Sequence, residues 1–434
     1  MQKEPITLTY DAIVIGGGIA GGEAALNLAN NGYKVVLVES RLSVGGKMIM
    51  LSKVFPTLDC SACITTPKVS EISRHPNIKI FTESDITSID KLGEQSFVVK
   101  MTQRPRYVVA EDCTACQLCE QACPVIVKDQ FQYGLVGRKA VYIPFSIASP
   151  KVAAIDIDNC TLCGACEKVC PPGCIDFTMK PKEYIFNVKT AIVATGFRLY
   201  DPTNVPRYSY GTAKNVITSI QMERLLAPTR PFHTILRSSD GKVPDKIAYV
   251  LCAGSRDDSM GNPICSQICC MYSIKQAQLL LGALPMADIT IYYIDIRAFG
   301  KGYDEFYEQA VSMGVRFVKG KIGKITEKEN GNLTLRYEDV ATGKLKEAEH
   351  DMVVLSVGVK PNKEAADLFK SHKLELDGLS FVKQSDPLLS PAKTSIDGVF
   401  VAGAATGPKD IPDSILSAGA ASTEAISYLN QKSQ

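Results

Sequence analysis

Two cysteine runs in the middle of this 434-residue chain carry the clearest chemistry in the sequence. Each follows the pattern C-x2-C-x2-C-x3-C-P, in which three thiols lie on one tight loop and a fourth precedes a proline. This spacing suits the four thiolates that hold a [4Fe–4S] cluster at its corners. The eight residues concerned are Cys113, Cys116, Cys119, Cys123, Cys160, Cys163, Cys166 and Cys170.

The pairing of ligands between the two runs follows from the same spacing. In two-cluster bacterial ferredoxins the fourth cysteine of each run ligates the cluster of the other run. The predicted ligand sets are therefore Cys113, Cys116, Cys119 and Cys170 for one cluster, and Cys160, Cys163, Cys166 and Cys123 for the other. Zinc ribbons or disulfides are the alternative, but two complete runs that each end in proline favour clusters. The sequence predicts a protein that carries electrons.

The composition limits the possible functional classes. With 48 basic and 46 acidic residues, the chain shows neither a nucleic-acid surface nor a polybasic membrane patch. The amino terminus does not resemble a signal peptide, and the longest apolar runs have the length of strands. Fifteen cysteines in such a chain favour metal or redox chemistry over a disulfide scaffold. We therefore expect a cytoplasmic protein of two or three domains.

A dinucleotide-binding pattern occupies the first 40 residues. An apolar strand leads into Gly16, Gly18 and Gly21, a helix follows, and a second apolar strand ends at Glu39. The glycines allow a tight turn, close approach of a pyrophosphate and close packing of helix on strand. The pyrophosphate is expected at the amino terminus of the helix, and Glu39 is placed to accept hydrogen bonds from a ribose. The neighbouring Ala20 and Ser40 complete this part of the predicted site.

Three later segments extend the predicted cofactor site and favour FAD over NAD. A second glycine turn contains Gly46 and Lys47, a feature of two-domain FAD proteins. A strand ends at Thr195 and Gly196, where the chain of such proteins leaves the FAD domain. The last predicted contact, near the flavin ring, follows a strand that leads into a small-residue helix. Its residues are Gly403, Ala404, Asp410 and Ile411.

Other cysteines allow more than one interpretation. Cys60 and Cys63 form a C-x2-C in a loop bounded by prolines, and a redox dithiol, half of a metal site and two incidental thiols all remain open. Cys174 is expected to be a buried spare thiol beside a cluster. The predicted second nucleotide domain has a cysteine where a glycine-rich turn belongs. We interpret this cysteine and three that follow as a third metal centre, with a vicinal dithiol for disulfide exchange as the alternative. These four residues are Cys252, Cys265, Cys269 and Cys270.

With these residues in view, the chain resembles the A subunit of heterodisulfide reductase over nearly its whole length. The segments that carry the resemblance are residues 55–61, 140–145, 250–275, 293–303 and 407–413. The resemblance implies an α/β, thioredoxin-reductase-like flavoprotein of two Rossmann-like βαβ domains, with FAD and an inserted two-cluster ferredoxin domain. It also implies a third [4Fe–4S] cluster on cysteines spaced like those four, and a lysine like Lys275 near flavin N5, which we take as the catalytic, flavin-tuning residue.

The predicted domain boundaries follow from this fold. They are 1–104 for the first part of the FAD domain, 105–183 for the ferredoxin-like insert, 184–245 for the FAD domain's continuation and linker, 246–375 for a degenerate NAD-type domain with the third cluster, and 376–434 for the carboxyl-terminal return. The charged stretch 319–329 is interpreted as solvated surface. Without the additional cluster domains of the longest relatives, the chain is expected to be the short bacterial type. A further cluster that includes Cys60 and Cys63 would then need another protein chain.

The resemblance implies an oxidoreductase subunit of a cytoplasmic complex. A donor subunit would reduce FAD, and electrons would leave for ferredoxin and for a disulfide-reducing partner, with flavin-based bifurcation between them. The implied partners are the B and C subunits or their relatives, an electron-donor subunit, ferredoxin and a second copy of the chain. The alternative is a self-sufficient NAD(P)H:ferredoxin oxidoreductase, against which the lost glycine turn at Cys252 argues. A structural scaffold with relic cofactors is a third hypothesis.

Overall fold

The computed structural model describes residues 4–203 and 205–431 of the chain. Its helices are α1 (Ile19–Asn30), α2 (Ser61–Arg74), α3 (Leu118–Ala122), α4 (Ala165–Lys168), α5 (Ser219–Leu226), α6 (Cys269–Ala283), α7 (Tyr303–Ser312) and α8 (Ile411–Gln431).

The strands of the first half are β1 (Ile6–Thr9), β2 (Ala12–Ile15), β3 (Val35–Val38), β4 (Ile78–Phe81), β5 (Ser84–Gly93), β6 (Ser96–Gln103), β7 (Ile126–Lys128), β8 (Gly137–Lys139), β9 (Val141–Tyr142), β10 (Ala154–Ile155), β11 (Lys182–Val188) and β12 (Thr190–Val193). Those of the second half are β13 (Phe197–Leu199), β14 (Val216–Thr218), β15 (Lys246–Ala253), β16 (Asp288–Tyr293), β17 (Arg316–Glu327), β18 (Leu333–Asp339), β19 (Lys344–His350), β20 (Met352–Val357), β21 (Val359–Pro361) and β22 (Val399–Val401).

A five-stranded parallel sheet forms the centre of the first domain, in the order β22-β12-β2-β3-β4. Every residue of β2, β3, β12 and β22 is buried, because helices and a second sheet cover both faces, as parallel sheets require. Helices α1 and α8 pack together on one face. Alanines such as Ala24, Ala421 and Ala425 let them approach closely.

A four-stranded sheet, β1-β11-β6-β5, covers the other face and determines where the insert is attached. The insert leaves after β6 and returns at β11, and these two strands pair antiparallel with Gln103 opposite Lys182. Both ends of the insert therefore emerge side by side, and the host sheet closes around the insertion without a gap. Inside the insert lie two small hairpins, β7-β8 and β9-β10.

The second large sheet has seven strands, in the order β14-β20-β15-β16-β17-β18-β19. Strand β14 belongs to it by parallel pairing with β20, so the predicted boundary at residue 245 separates this strand from its own sheet. The charged side chains of residues 319–329 are exposed, as the interpretation as solvated surface predicts, but the sequence analysis did not recognise the strand to which they belong. Most of this stretch lies in β17, where Ile322 and Ile325 are buried and charged residues such as Lys321 and Lys324 are exposed.

The segment that contains Cys60 and Cys63 is also not the predicted loop. Cys60 is the N-cap of α2, and Pro67 lies inside this helix. Proline is disfavoured at that depth because it lacks the N–H that would bond to the preceding turn. Buried residues on one face, among them Val69 and Ile72, join the core of the first domain and hold the helix in place.

The insert packs on its host through apolar contacts and one buried arginine. Four residues of the insert contact a cluster that includes Met50 and Ile220; they are Phe131, Tyr133, Phe145 and Ile147.

In the part of the chain that the structure describes, no helix is both long enough and apolar enough to cross a membrane.

Arg224 connects three parts of the chain and is fully buried. Its Nη1 donates to the carbonyl of Met50 at 2.7 Å, its Nε to Oε1 of Gln132 in the insert at 3.0 Å, and its Nη2 to the Thr229 hydroxyl at 2.8 Å. A buried guanidinium is stable only when its donors are paired in this way. Arg224 therefore fixes the insert against the first domain.

We expect Arg224→Met to destabilise the protein by about 3 kcal/mol, because the charge-assisted hydrogen bonds are lost and buried acceptors remain unpaired. The measurement is the midpoint of thermal unfolding. Arg230→Met is the matched control, since Arg230 is exposed and its loss should cost less than about 0.5 kcal/mol. Equal midpoints for the two variants would contradict this role of Arg224.

Candidate functional site

A large cavity opens at the carboxyl ends of the strands of the five-stranded sheet. Its volume is about 590 Å³, within the range of about 300–1,000 Å³ that is usual for cofactor sites. Most of the predicted cofactor-binding residues line it, together with Lys275. They are Gly16, Gly18, Ala20, Glu39, Ser40, Gly46, Lys47, Thr195, Gly196, Ala404, Asp410 and Ile411. Gly21 and Gly403 do not line the cavity and act through backbone packing instead.

The first glycine turn brings helix α1 close to β2. Gly16 has a φ of +108°, a conformation that glycine adopts readily. A Cβ on Gly21 would lie 1.8 Å from the carbonyl oxygen of Gly16, so no side chain fits there. Gly18 is the N-cap of α1 and provides no side-chain hydrogen bond. The first N–H groups of the helix and its dipole therefore remain available for a phosphate anion.

Glu39 follows β3 at the wall of the cavity and is 7% exposed. Its Oε2 accepts a hydrogen bond from the Gly17 N–H at 2.8 Å, and its Oε1 accepts one from the Arg41 N–H at 2.9 Å. These bonds fix the orientation of the carboxylate. Each oxygen keeps further lone pairs with which to accept hydrogen bonds from a ribose hydroxyl.

The second glycine turn touches the first. A Cβ on Gly46 would lie 2.7 Å from the Cα of Gly18, so two bare backbones meet at the floor of the cavity. The next residue, Lys47, donates to the carbonyl of Phe197. Burial, assisted by the positive charge of Arg41 and opposed by Glu39, lowers the pKa of Lys47 to about 8. Lys47 thus places a cationic group beside the phosphate end of the site.

The carboxyl-terminal return closes the other end of the cavity. Asp410 precedes α8 and accepts a hydrogen bond from the hydroxyl of Tyr303, at 2.7 Å, which comes from the second domain. Lys409 also lines the cavity, and burial lowers its pKa. Gly403 has a positive φ, and a Cβ there would lie 2.6 Å from the Ala20 side chain. The two ends of the chain therefore meet at the same site.

A buried ion pair forms one wall. The Nζ of Lys275, on α6, donates to Oε1 of Glu223 on α5 at 2.5 Å and to the carbonyl of Lys53 at 2.8 Å. Burial opposes the charge of Glu223, but Lys275 and the bonds from Gln276 and Ser52 outweigh it and hold the pKa of the carboxyl below its usual value. Burial lowers the pKa of Lys275, and Glu223 opposes that shift. Both charged groups face the cavity.

The eight cysteines of the two runs lie in two separate groups, each around its own small cavity. One cavity is lined by Cys113, Cys116, Cys119 and Cys170, with Cys174 beside them. The other is lined by Cys123, Cys160, Cys163 and Cys166. The exchange of the fourth cysteine between the runs is therefore present in the arrangement of the side chains. Short helices α3 and α4 begin after left-handed residues and bring the thiols onto one side of each loop.

The four cysteines of the second domain also converge. Cys252 lies near the end of β15, Cys265 is in the following loop, and Cys269 and Cys270 form the first turn of α6. Burial raises the pKa of the Cys269 thiol, and the other three thiols raise it further by repulsion between thiolates. Burial also raises the pKa of Cys270, to about 12. A bound cationic group would supply the positive charge that stabilises four thiolates here.

These donor sets fit the expected groups by their chemistry. Among residues 4–203 and 205–431, no three His, Cys, Asp or Glu side chains are arranged to hold a single metal ion. A [4Fe–4S] cube binds one thiolate at each of four irons, and so holds its ligands further apart than one ion does. The thiol sets suit such clusters, and the glycine-lined cavity with Glu39 suits FAD.

Cys60 and Cys63 lie apart from these groups. The Cys63 N–H donates to the Cys60 sulfur at 3.4 Å, Cys63 is exposed, and Cys60 is partly buried. Burial raises the pKa of Cys60, but hydrogen bonds from Cys63 and from backbone N–H groups outweigh it and lower the pKa below its usual value. Neither cysteine lines the large cavity or the cysteine cavities. The alternatives left open by the sequence remain open.

Sequence reasoning missed several charged residues that line the large cavity, among them Glu223 and Lys409. Lys409 stands between predicted residues in the segment 407–413 and could have been included with Asp410. Glu223 belongs to no motif, and only the packing of α5 on α6 brings it to Lys275.

Two family models match the chain. The model for pyridine nucleotide-disulphide oxidoreductases matches residues 10–119 and 287–425, and that for the 4Fe-4S dicluster domain matches residues 109–174. The first covers both ends of the large cavity, and the second covers both cysteine runs. The prediction of an oxidoreductase with FAD-type and 4Fe-4S domains is confirmed at this level.

Curated relatives match nearly the whole chain. The A subunit of the H(2):CoB-CoM heterodisulfide,ferredoxin reductase of Methanothermobacter marburgensis is 42% identical over 98% of this chain and 65% of its own length. The second iron-sulfur A subunit of the CoB--CoM heterodisulfide reductase of Methanopyrus kandleri is 44% identical over 99% and 66%. The chain thus spans about two thirds of the length of these relatives. The resemblance stated from the sequence is confirmed.

Solved structures confirm the fold. The thioredoxin reductase of Lactococcus lactis aligns with 97% of this chain and 99% of its own, with a TM-score of 0.56 at 14% identity. That of T. acidophilum aligns with 98% and 99%, with a TM-score of 0.55 at 13% identity. The predicted thioredoxin-reductase-like architecture is correct.

We expect Gly21→Ala to reduce the FAD content of the purified protein several-fold, because the added methyl group forces α1 away from Gly16. Gly419→Ala is the matched control, since Gly419 lies inside α8 and a Cβ there meets nothing within 4 Å. The measurement is flavin released per chain. Full occupancy in the Gly21 variant would show that the close turn does not govern binding.

Proposed function

Because the chain belongs to the pyridine nucleotide-disulphide oxidoreductase family and is similar to the A subunits of heterodisulfide reductases, we propose that it is the FAD- and iron–sulfur-bearing electron-transfer subunit of a heterodisulfide-reductase-like complex. The observation that carries this proposal is the position of the cysteine groups. One group is continuous with the wall of the flavin-type cavity, and the insert that holds the other two packs on the same domain.

The contact between the third cysteine group and the cavity is direct. Ile268 and Tyr272 line the cavity, and Cys269 and Cys270 lie between them in sequence, in the first turn of α6. The hydroxyl of Tyr272 donates to the carbonyl of Val357, which holds this turn against β20. An electron that passes between the cavity and these thiolates has only one helical turn to cross.

The insert reaches the same cavity by another face. Met50, which accepts the hydrogen bond from Arg224, lies between cavity residues Met48 and Leu51. Phe131 and Phe145 of the insert stack with centroids 4.6 Å apart beside this segment. The insert is thus positioned to exchange electrons with the flavin site, with Arg224 fixing the contact.

FAD can accept two electrons together and release them one at a time. It can therefore connect a hydride or other two-electron donor to iron–sulfur clusters, which carry single electrons. The chain's own residues would set the energy of that exchange. When FAD is bound, the α1 dipole and Lys47 would hold its phosphates and Glu39 its ribose, and the ammonium of Lys275 lies at the wall of the same cavity. The ammonium of Lys275 would favour the reduced, anionic flavin, and the carboxylate of Glu223 at 2.5 Å would offset part of that effect.

We further propose flavin-based bifurcation, with one electron sent to ferredoxin and one to a disulfide-reducing partner. The names of the relatives support this, because one of them joins heterodisulfide and ferredoxin as substrates of one enzyme. The proposed partners are the B and C subunits or relatives, a donor subunit, ferredoxin and a second copy of the chain, in the cytoplasm. The disulfide chemistry would belong to a partner protein.

Two contacts argue against the alternative of a self-sufficient NAD(P)H oxidoreductase. A Cβ on Gly254 would lie 2.2 Å from the ring of Tyr200, so this ring covers the turn after β15 where a dinucleotide phosphate would bind. Asp295, after β16, pairs with Arg256 at 2.5 Å and Arg297 at 3.3 Å and is not free to bind a ribose. The chain's own side chains occupy both nucleotide positions.

We expect anaerobically purified protein to contain about twelve irons and one FAD per chain, as three [4Fe–4S] clusters require. Cys269→Ala should contain about eight irons with FAD unchanged. The measurement combines iron, acid-labile sulfide and flavin analysis. About eight irons in both proteins would overturn the third cluster and favour the vicinal dithiol. About sixteen in the parent would assign Cys60 and Cys63 to a further cluster.

We expect Lys275→Gln to lower the midpoint potential of the flavin by about 30 mV or more, which corresponds to about 1.4 kcal/mol for a two-electron couple. The physical reason is that the cavity wall loses the ammonium of Lys275 and the Glu223 carboxylate loses the partner that compensates its charge. Lys79→Gln is the control, because Lys79 is exposed on β4. Spectroelectrochemical titration measures both variants. A shift of the same size in the control would show an effect of net charge alone.

A further inference from the structure

The cavity of the first cysteine group contains a fifth thiol. Cys174 lines this cavity together with Cys113, Cys116, Cys119 and Cys170, and it is 3% exposed. Its sulfur lies 3.4 Å from the sulfur of Cys170. The two sulfur atoms are thus separated by about one atomic diameter, so each lies close to the position of the other.

Backbone contacts place Cys174 there rigidly. The chain turns back after Cys170 through Gly173, which has a φ of +63° and donates its N–H to the carbonyl of Cys170 at 3.1 Å. The carbonyl of Cys174 accepts a hydrogen bond from the Val109 N–H at 2.8 Å, which ties it to the start of the insert. These backbone hydrogen bonds, and not only the contact between the two sulfur atoms, hold Cys174 at the cavity.

The second cysteine group provides an internal comparison. Cys123 is the fourth cysteine of the second group, as Cys170 is of the first, and each of the two is followed by proline. After Cys123 the chain continues into β7 and does not turn back, so Val127 stands four residues on where the first group has its extra thiol. The second cavity is lined by four cysteines and the first by five.

We propose that Cys174 is a reserve ligand, able to take the place of Cys170 as the fourth thiolate of the first cluster. In the exchange, the iron–sulfur bond to Cys170 breaks as one to Cys174 forms. The proton of the Cys174 thiol passes to the departing Cys170 sulfur, and no electron is gained or lost. This inference rests on the proposed ligand set of the first cluster. It adds a ligand exchange for which the second cluster has no extra thiol.

The test compares Cys170→Ala, Cys170→Ala with Cys174→Ala, and the matched control Cys123→Ala, all purified anaerobically. Iron, acid-labile sulfide and flavin are measured, together with the electron paramagnetic resonance spectrum of the reduced protein. We expect Cys170→Ala to keep the iron of the parent with altered g-values. The double variant and Cys123→Ala should each lose about four irons, the content of one cluster.

Loss of about four irons in Cys170→Ala, equal to the loss in Cys123→Ala, would overturn the reserve ligand. A parent protein without clusters in the insert would instead overturn the ligand set itself, so the two failures are distinct. Flavin content reports whether each variant is folded. If Cys170→Ala does not retain FAD, Cys170→Ser, which conserves size, is compared with Cys170→Ser and Cys174→Ala combined, with the same expected difference.

Discussion

The antiparallel pairing of β6 with β11 is the contact on which the position of the iron–sulfur insert depends. An insert of two clusters could be attached at any surface loop, but electrons pass efficiently only when carriers lie close together. Because Gln103 and Lys182 are directly opposite each other, the insert begins and ends at one point of the host sheet. Arg224 then fixes its orientation by bonding to Met50 and Gln132. A flexible tether would lack this second constraint.

The ion pair of Lys275 with Glu223 is costly and therefore informative. Removing two charges from water costs several kcal/mol per ion, and well-packed apolar residues of similar size are often at least as stable. Further hydrogen bonds with Ser52, Lys53 and Gln276 offset part of this cost. Stability alone therefore does not account for this pair, because apolar residues would serve stability as well.

Local spacing predicted the parts of the site that depend on short loops. The cysteine runs and the turn from Gly16 to Gly21 place their groups within a few residues, so the pattern alone indicates the geometry. Glu223 could not be predicted, because its partner Lys275 is 52 residues away in sequence and only the packing of α5 on α6 joins them. In residues 319–327 the charges hid a strand, since its buried positions are few and irregularly spaced.

In the second domain, the proposed third cluster site stands where a nucleotide-binding turn would be expected. Cys252 occupies the end of β15 with a φ of +56°, a conformation that costs a residue with a side chain about 1 kcal/mol or more. A glycine would adopt this turn without strain, as the phosphate-binding turns of nucleotide domains do. The left-handed residue turns the chain toward α6, where Cys269 and Cys270 begin the helix. This backbone conformation fits the proposed role of the Cys252 thiol as a cluster ligand. The ring of Tyr200 also covers Gly254 in the same turn, so this turn has no room for a dinucleotide.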